Sequence, residues 1–276
     1  MVFEVHPVVV TASPSMIPRS VRFPVRPPAA AGATLRAMPP SAEQRREELK
    51  AVYRQASVCT RCPQLAATRQ TVVFGSGHAD ADLMFVGEAP GANEDKQGVP
   101  FVGQAGKLLD QLLAEMSLSR SDVFVVNILK CRPPGNRDPL PQEIDNCQDY
   151  LFRQLELIRP NVVCTLGNFA TKLLRADPST GITKLHGREE VRVIGPLAVR
   201  LFPIYHPAAA LYTRSLLDTL RADFARLPEL LALAQPPQPE PPAPEPEPVV
   251  PEPEIVEEIE AAAPAEVPAP SQLGLF

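Results

Sequence analysis

Short apolar runs separated by amphipathic stretches set the pattern of this chain. Asp82-Leu-Met-Phe-Val86, Val123-Phe-Val-Val-Asn-Ile-Leu129 and Asn161-Val-Val-Cys-Thr-Leu166 are apolar segments bounded by polar, Gly or Pro residues, the form of strands buried on both faces. Between them, residues 103–116 carry Leu108, Leu109, Leu112 and Leu113 at helical spacing. Residues 141–158 form a second amphipathic helix that stops before Pro160, and residues 167–175 a third. Upstream, Ser41 with Gln44 three residues on has the spacing of a capping box, opening a helix that runs through Leu49 and Tyr53 toward Cys59. Gly75-Ser-Gly77 reads as a turn and residues 132–140 as a Pro/Gly-rich loop. Residues 191–194 and 199–204 flank Gly195-Pro196 as a hairpin-like pair, and His206-Pro207 begins a last helix to about Leu227. Strands alternating with helices predict an α/β fold with a mostly parallel sheet covered on both faces.

In such sheets ligands collect at the carboxyl ends of the strands. Three polar side chains fall there: Glu88 in Gly87-Glu-Ala-Pro-Gly91, Asn127 near the end of the second strand, and His206 after the last. A lone carboxylate between glycines and a proline reads as a polar turn. The convergence of an acid, an amide and an imidazole from distant segments lifts it to a candidate site.

Composition adds the ends of the chain. Of 276 residues 34 are proline, concentrated at the two termini. Residues 1–40 hold Arg19, Arg22, Arg26 and Arg36 against Glu4 alone. Prolines at 7, 14, 18, 24, 27 and 28 break the amphipathic helix that a transit peptide would need. The segment reads as a disordered basic arm, or as an upstream extension with Met38 the true start. No run of 18 apolar residues is present, so no transmembrane helix is expected. The formal charge of −5 comes from the tail: ten of the 32 acidic residues lie from Leu227 onward, with no Lys or Arg there. Ahead of that point 27 basic side chains face 22 acidic ones, a balance that suits a polyanionic partner.

Cys59 and Cys62 form a C-x2-C pair, and Cys131 and Cys147 follow fifteen residues apart. Without a second C-x2-C this is not a zinc ribbon. Four thiolates from three segments can hold zinc or an iron–sulfur cluster, and spacing does not choose between them. Cys164, inside an apolar strand, reads as a small buried hydrophobe.

The spaced motifs resemble those of the family 4 uracil-DNA glycosylases. Gly87-Glu-Ala-Pro-Gly91, followed by Glu94-Asp95 and Gly98-Val-Pro-Phe-Val-Gly-Gln-Ala-Gly106, is similar to that family's first motif. Asn127-Ile-Leu-Lys-Cys-Arg-Pro-Pro134 resembles its central motif, and His206-Pro-Ala-Ala209 its closing one. The extra basic, His-containing loop of the related cross-linking branch is absent after the first motif. The resemblance implies a three-layer αβα sandwich around a four-stranded parallel sheet over residues 41–230, with disordered extensions. It implies hydrolysis of the N-glycosidic bond of deoxyuridine in DNA, releasing uracil. It also implies a structural [4Fe–4S] cluster on Cys59, Cys62, Cys131 and Cys147. Uracil would contact Gly87, Glu88, Ala89, Phe101, Asn127 and His206, with Glu88, Asn127 and His206 acting in catalysis. Lys130, Arg132 and Arg137 cluster around the third cysteine and the loop that follows it and are the candidates for DNA phosphates. Competing readings are a superfamily member that holds uracil-DNA without turnover, and a non-enzymatic iron–sulfur scaffold.

From Pro236 to Pro253 ten of eighteen residues are proline, interleaved with Glu, the composition of an extended, disordered tether; residues 231–271 are assigned to it. Gln272-Leu-Gly-Leu-Phe276 ends it and resembles the bacterial sliding-clamp-binding peptide, with Gln272, Leu273, Leu275 and Phe276 as contacts and Gly274 departing from the usual third residue. A monomeric, cytoplasmic, nucleoid-associated DNA-repair protein is the expectation.

Overall fold

A computed structural model describes residues 40–240; the basic arm and the clamp-like residues Gln272, Leu273, Leu275 and Phe276 lie outside the described residues. The sheet is built from β1 (Ser76–Gly77), β2 (Leu83–Gly87), β3 (Val123–Asn127), β4 (Val162–Leu166), β5 (Glu190–Ile194) and β6 (Leu197–Ile204). Their spatial order is β1-β3-β2-β4-β6-β5. The central four, β3-β2-β4-β6, are parallel. β1 and β5 are antiparallel edges, so two edge strands widen the four-stranded sheet to six. Every residue of β2, β3 and β4 is buried, because helices cover both faces and the strands therefore read as unbroken apolar runs.

Helices α1 (Ala42–Ser57), α2 (Pro63–Thr68), α3 (Ala92–Gln97), α4 (Gln104–Glu115), α5 (Pro141–Ile158), α6 (Asn168–Arg175), α7 (Ile182–Leu185), α8 (Pro207–Tyr212), α9 (Arg214–Phe224) and α10 (Leu227–Ala232) complete the layers. One core cluster joins Met84, Val86, Val126 and Val163 to Val52 and Ala56 of α1, Leu151 and Leu155 of α5 and Leu173 of α6. The other joins Leu83, Phe85, Val125 and Cys164 to Leu109, Leu112 and Leu113 of α4 and to Leu220 and Phe224 of α9. Phe85 stacks on Phe224 with ring centroids 5.7 Å apart. Ser41 and Gln44 form the expected capping box, the Gln44 N–H donating to Ser41 Oγ and the Ser41 N–H to Gln44 Oε1.

Three expectations change. Gly75-Ser-Gly77 is not a turn but carries edge strand β1: Gly77, at φ +132°, lies so close to β3 that a Cβ would strike the Val123 carbonyl. The last helix, expected to about Leu227, is two pieces, and a further short helix follows it. Thr213 is extended (φ −129°, ψ 99°) between α8 and α9, and Pro228 restarts the helix in the first turn of α10. Finally, packing continues past residue 230. Gln238 donates to and accepts from the backbone of Ala198, which precedes the stretch of β6 paired with β4; a side-chain amide thus completes the ladder there. No helix of the described residues is long and apolar enough to cross a membrane.

Candidate active site

The in-register pairing of β2 with β3 sets Gly87 beside Asn127 at the carboxyl ends of both strands. The pairing runs one residue further, since the Ile128 and Leu129 N–H groups donate to the Gly87 and Glu88 carbonyls. Asn127 is 2% exposed, and its Oδ1 is buried with no hydrogen-bond partner among the described residues. A polar atom in that state costs on the order of 1–3 kcal/mol, and it is aimed at the space over Gly87. A Cβ added to Gly87 would collide with that oxygen and lie 2.7 Å from Phe101 Cζ. Glycine at 87 is therefore what lets the amide and the ring both lie against this stretch of backbone.

Phe101 is held in a left-handed backbone conformation (φ 54°) and is 6% exposed, a state that costs on the order of 1–3 kcal/mol unless its surroundings impose it. They do. Glu94 Oε1 accepts from the Val102 and Gly103 N–H groups at 2.9 and 2.8 Å. Arg120 donates to the Phe101 carbonyl at 2.6 Å and to the Pro100 and Gly106 carbonyls at 3.4 and 3.5 Å, and pairs with Asp110. Gly106 is required, because a Cβ there would overlap the Phe101 carbonyl. Asp95 in turn accepts from the Gln70 and Thr71 N–H groups, fixing α3 to the chain before β1.

His206 caps α8, its Nδ1 accepting from the Ala208 N–H at 3.1 Å. The ring is thereby the Nε2–H tautomer, with a donor on its free side. Burial pulls its pKa down to about 4, so it is neutral near pH 7. Its ring stacks on Phe101 at 5.6 Å. Gly167, at φ +88°, passes 3.2 Å from His206 Cβ as measured from the position of an added Cβ; Thr171 bonds the Gly167 carbonyl and Thr165 together at 2.7 and 2.8 Å. The strands leading to Asn127 and His206 are separated by β2 and β4. At the usual strand spacing that is about 14 Å between the two backbones, and the Phe101 ring lies between them, beside Asn127 Oδ1 at Gly87 and stacked on His206. Glu88 stands at the rim, its carboxyl pushed up to about 7 by burial first and by the charge of Asp138 second. Ala89 packs on the core beside it.

Cys59, Cys62, Cys131 and Cys147 line one small cavity with Arg69, Asn146 and Tyr150, and all are free thiols. Donors aim at the sulfurs: Arg69 Nη1 at Cys131 (3.2 Å), the Lys130 N–H at Cys147 (3.3 Å) and Asn146 Nδ2 at Cys62 (3.6 Å). Burial pushes the Cys147 thiol up to about 12 and raises those of Cys62 and Cys131. Among the described residues no three of His, Cys, Asp or Glu gather tightly enough to hold a single metal ion.

The model of the uracil-DNA glycosylase superfamily matches residues 74–229, the span that carries Gly87, Phe101, Asn127 and His206. This chain belongs to that superfamily, in its type-4 branch. It is similar to the type-4 uracil-DNA glycosylase of Archaeoglobus fulgidus, 46% identical over 194 residues, 69% of this chain and 96% of the relative. The Sulfurisphaera tokodaii type-4 enzyme is 44% identical over 188 residues (67% and 85%) and that of Thermotoga maritima 41% over 171 residues (62% and 87%).

Within this type-4 chain, one expected DNA contact is corrected. Lys130 is 1% exposed, its amine turned inward onto the Asn127 carbonyl and Gln154 Oε1, so it cannot reach a phosphate. Arg137 is engaged by Glu143 through both terminal nitrogens at 2.9 and 2.6 Å. Arg132 is bonded to Asn136 Oδ1 through Nε, and its outer nitrogens make no hydrogen bond among the described residues. Sequence reasoning missed Arg120, Glu94 and Gly106 as supports of Phe101; the Glu94 and Gly106 positions lay in a quoted motif, whereas Arg120 carried no local signal.

Proposed function

We propose that this chain is a uracil-DNA glycosylase: it flips deoxyuridine out of DNA, hydrolyses the N-glycosidic bond, releases uracil and leaves an abasic site. One observation carries the reading: in a type-4 family member, the amide of Asn127, with an unpartnered buried oxygen, faces the Phe101–His206 ring pair across Gly87. The nucleotide must leave the stack for its C1′ to be attacked. Phe101 would stack on the base. The Asn127 amide would accept from uracil N3–H through Oδ1 and donate to O4; cytosine presents the reverse pattern and leaves buried groups unpaired. Cleavage places negative charge on the departing uracil, chiefly at O2, and His206 Nε2–H is a neutral donor for it. Glu88 would stabilise the positive charge on the sugar or orient water, as carboxylates do in glycoside cleavage.

The cysteine cavity fits an iron–sulfur group of the kind the family resemblance implies. Its four thiols come from three segments, line one cavity and meet N–H donors that suit thiolate sulfur. Cys59, Cys62, Cys131 and Cys147 would hold a [4Fe–4S] cluster, whose contribution there is to cross-link the segment after α1, the loop after β3 and α5.

DNA is the proposed partner of the monomer, and the bacterial sliding clamp that of residues 272–276. Deleting those five residues should abolish clamp pull-down and leave base release from a free oligonucleotide intact. The function itself is tested by release of free uracil from oligonucleotides carrying U:G, U:A or single-stranded uracil. Tight binding of uracil-DNA with no free base would refute the enzymatic assignment.

A further inference from the structure

Lys130 is among the largest fully buried side chains of the protein, and the reaction outlined above does not use it. Its amine donates to the Asn127 carbonyl at 2.8 Å and to Gln154 Oε1 at 2.6 Å, and lies 6.0 Å from the centroid of the Phe74 ring. Gln154, itself fully buried, donates onward to the Phe74 carbonyl at 2.9 Å. The backbone of Lys130 is fixed at both ends: its N–H donates to Cys147 Sγ, and its carbonyl accepts from the Val73 N–H at 2.8 Å. Edge strand β1 reaches no further along β3 than Val125. The carbonyl of Asn127, two residues on, takes its donor from Lys130.

Burying an amine costs several kcal/mol unless it is well bonded. A leucine or methionine would fill the same space at lower cost, but it would supply no donor to the carbonyl of the residue whose amide faces the cavity. We propose that Lys130 is a positioning residue for base selection: a buried strut that sets the backbone of Asn127 from beneath and ties it to the segment carrying Cys147. The amine has enough N–H groups for both acceptors in either protonation state, so the strut does not depend on titration. The inference rests on the proposed reading of uracil by Asn127.

A double-mutant cycle on the full chain tests it. In the wild-type background, Lys130→Met should slow single-turnover uracil release about 10-fold and weaken binding of free uracil by a similar factor. The visible absorbance of the purified protein should be kept. In the Asn127→Ala background the same substitution should cost less than about 2-fold, because the group it positions is gone. Equal losses in both backgrounds, or wild-type release by Lys130→Met, would overturn the strut while leaving the glycosylase assignment intact. Wild-type release by Asn127→Ala alone would instead overturn the base-reading role and the strut with it. Lys130→Gln, which keeps a shorter donor, is read by the same cycle and is decisive where the methionine variant does not fold.

Discussion

Gly87→Ala is the smallest change that tests the cavity. Gly87 does not need a left-handed backbone, so the substitution carries no conformational penalty and acts only through its new methyl group. That carbon would lie 2.7 and 2.8 Å from Phe101 Cζ and Cε2 and overlap Asn127 Oδ1. Relaxed carbon–carbon contact is at about 3.5–4.0 Å, so ring and amide must together withdraw by roughly 1 Å. Phe101 cannot simply swing away, because its ring is buried in a core cluster against His206 and its backbone is fixed by Arg120, Glu94 and Gly106. A displacement of about 1 Å in a positioned group costs on the order of 100-fold in rate, equivalent to about 2.7 kcal/mol of transition-state stabilisation. Overpacking should reduce global stability by about 1–3 kcal/mol. The assay is single-turnover strand scission at the abasic site of a labelled uracil oligonucleotide, with thermal unfolding alongside. Gly181→Ala is the control, since its added Cβ meets only Asn168 Oδ1 at 3.7 Å. A folded Gly87→Ala protein that releases uracil within a few-fold of wild type would refute the argument that this glycine defines the cavity wall.

The carboxyl of Glu88, raised to about 7, should make base release climb with pH through about 7 and level off above it; Glu88→Gln should be slower and lack that step. The same shift has a stability sign: the folded state holds its proton where the unfolded one, near the ordinary 4.5, has lost it. Melting temperature should therefore fall as pH rises between those values, with a shallower slope in Glu88→Gln. Arg132→Ala should lower the salt slope of DNA binding by about 1, measured by anisotropy titrations at several ionic strengths. Arg137→Ala should leave that slope unchanged and reduce the melting temperature, because it strands the buried carboxylate of Glu143. Arg120→Ala should reduce kcat/KM about 10-fold by releasing the Phe101 turn, with partial rescue by lysine; unchanged affinity for free uracil would contradict it.

Much of this was legible because polar residues interrupt apolar runs at informative places. Asn127 closes an otherwise hydrophobic strand, and Gly87 and Glu88 follow another, so strand periodicity alone put them at one sheet end. The four paired-up core strands were visible for the same reason. What the linear pattern hid was direction and distance. Lys130 sits beside Arg132 in a basic run, yet its acceptors are a carbonyl three residues back and an amide on α5, which no local rule reveals. Arg120 was hidden similarly: it holds carbonyls of the turn at Pro100–Phe101 and of the first turn of α4, fourteen to twenty residues earlier. The break at Thr213 escaped because the residues on both sides favour helix, while Thr213 itself is a β-branched residue that sits in extended backbone between α8 and α9.

The order of the strands also constrains when activity can arise during synthesis. The imidazole enters only after β6, which docks against β4 on the far side from β3. The core cluster around Phe101 also takes Phe202 and Ile204 from β6 and Leu220 and Phe224 from α9, so the aromatic wall and the proposed donor are completed together by the last part of the chain. Base release thus reports that the last parallel strand has joined the sheet, and an incomplete translation product ending ahead of it lacks the group proposed to meet the departing base.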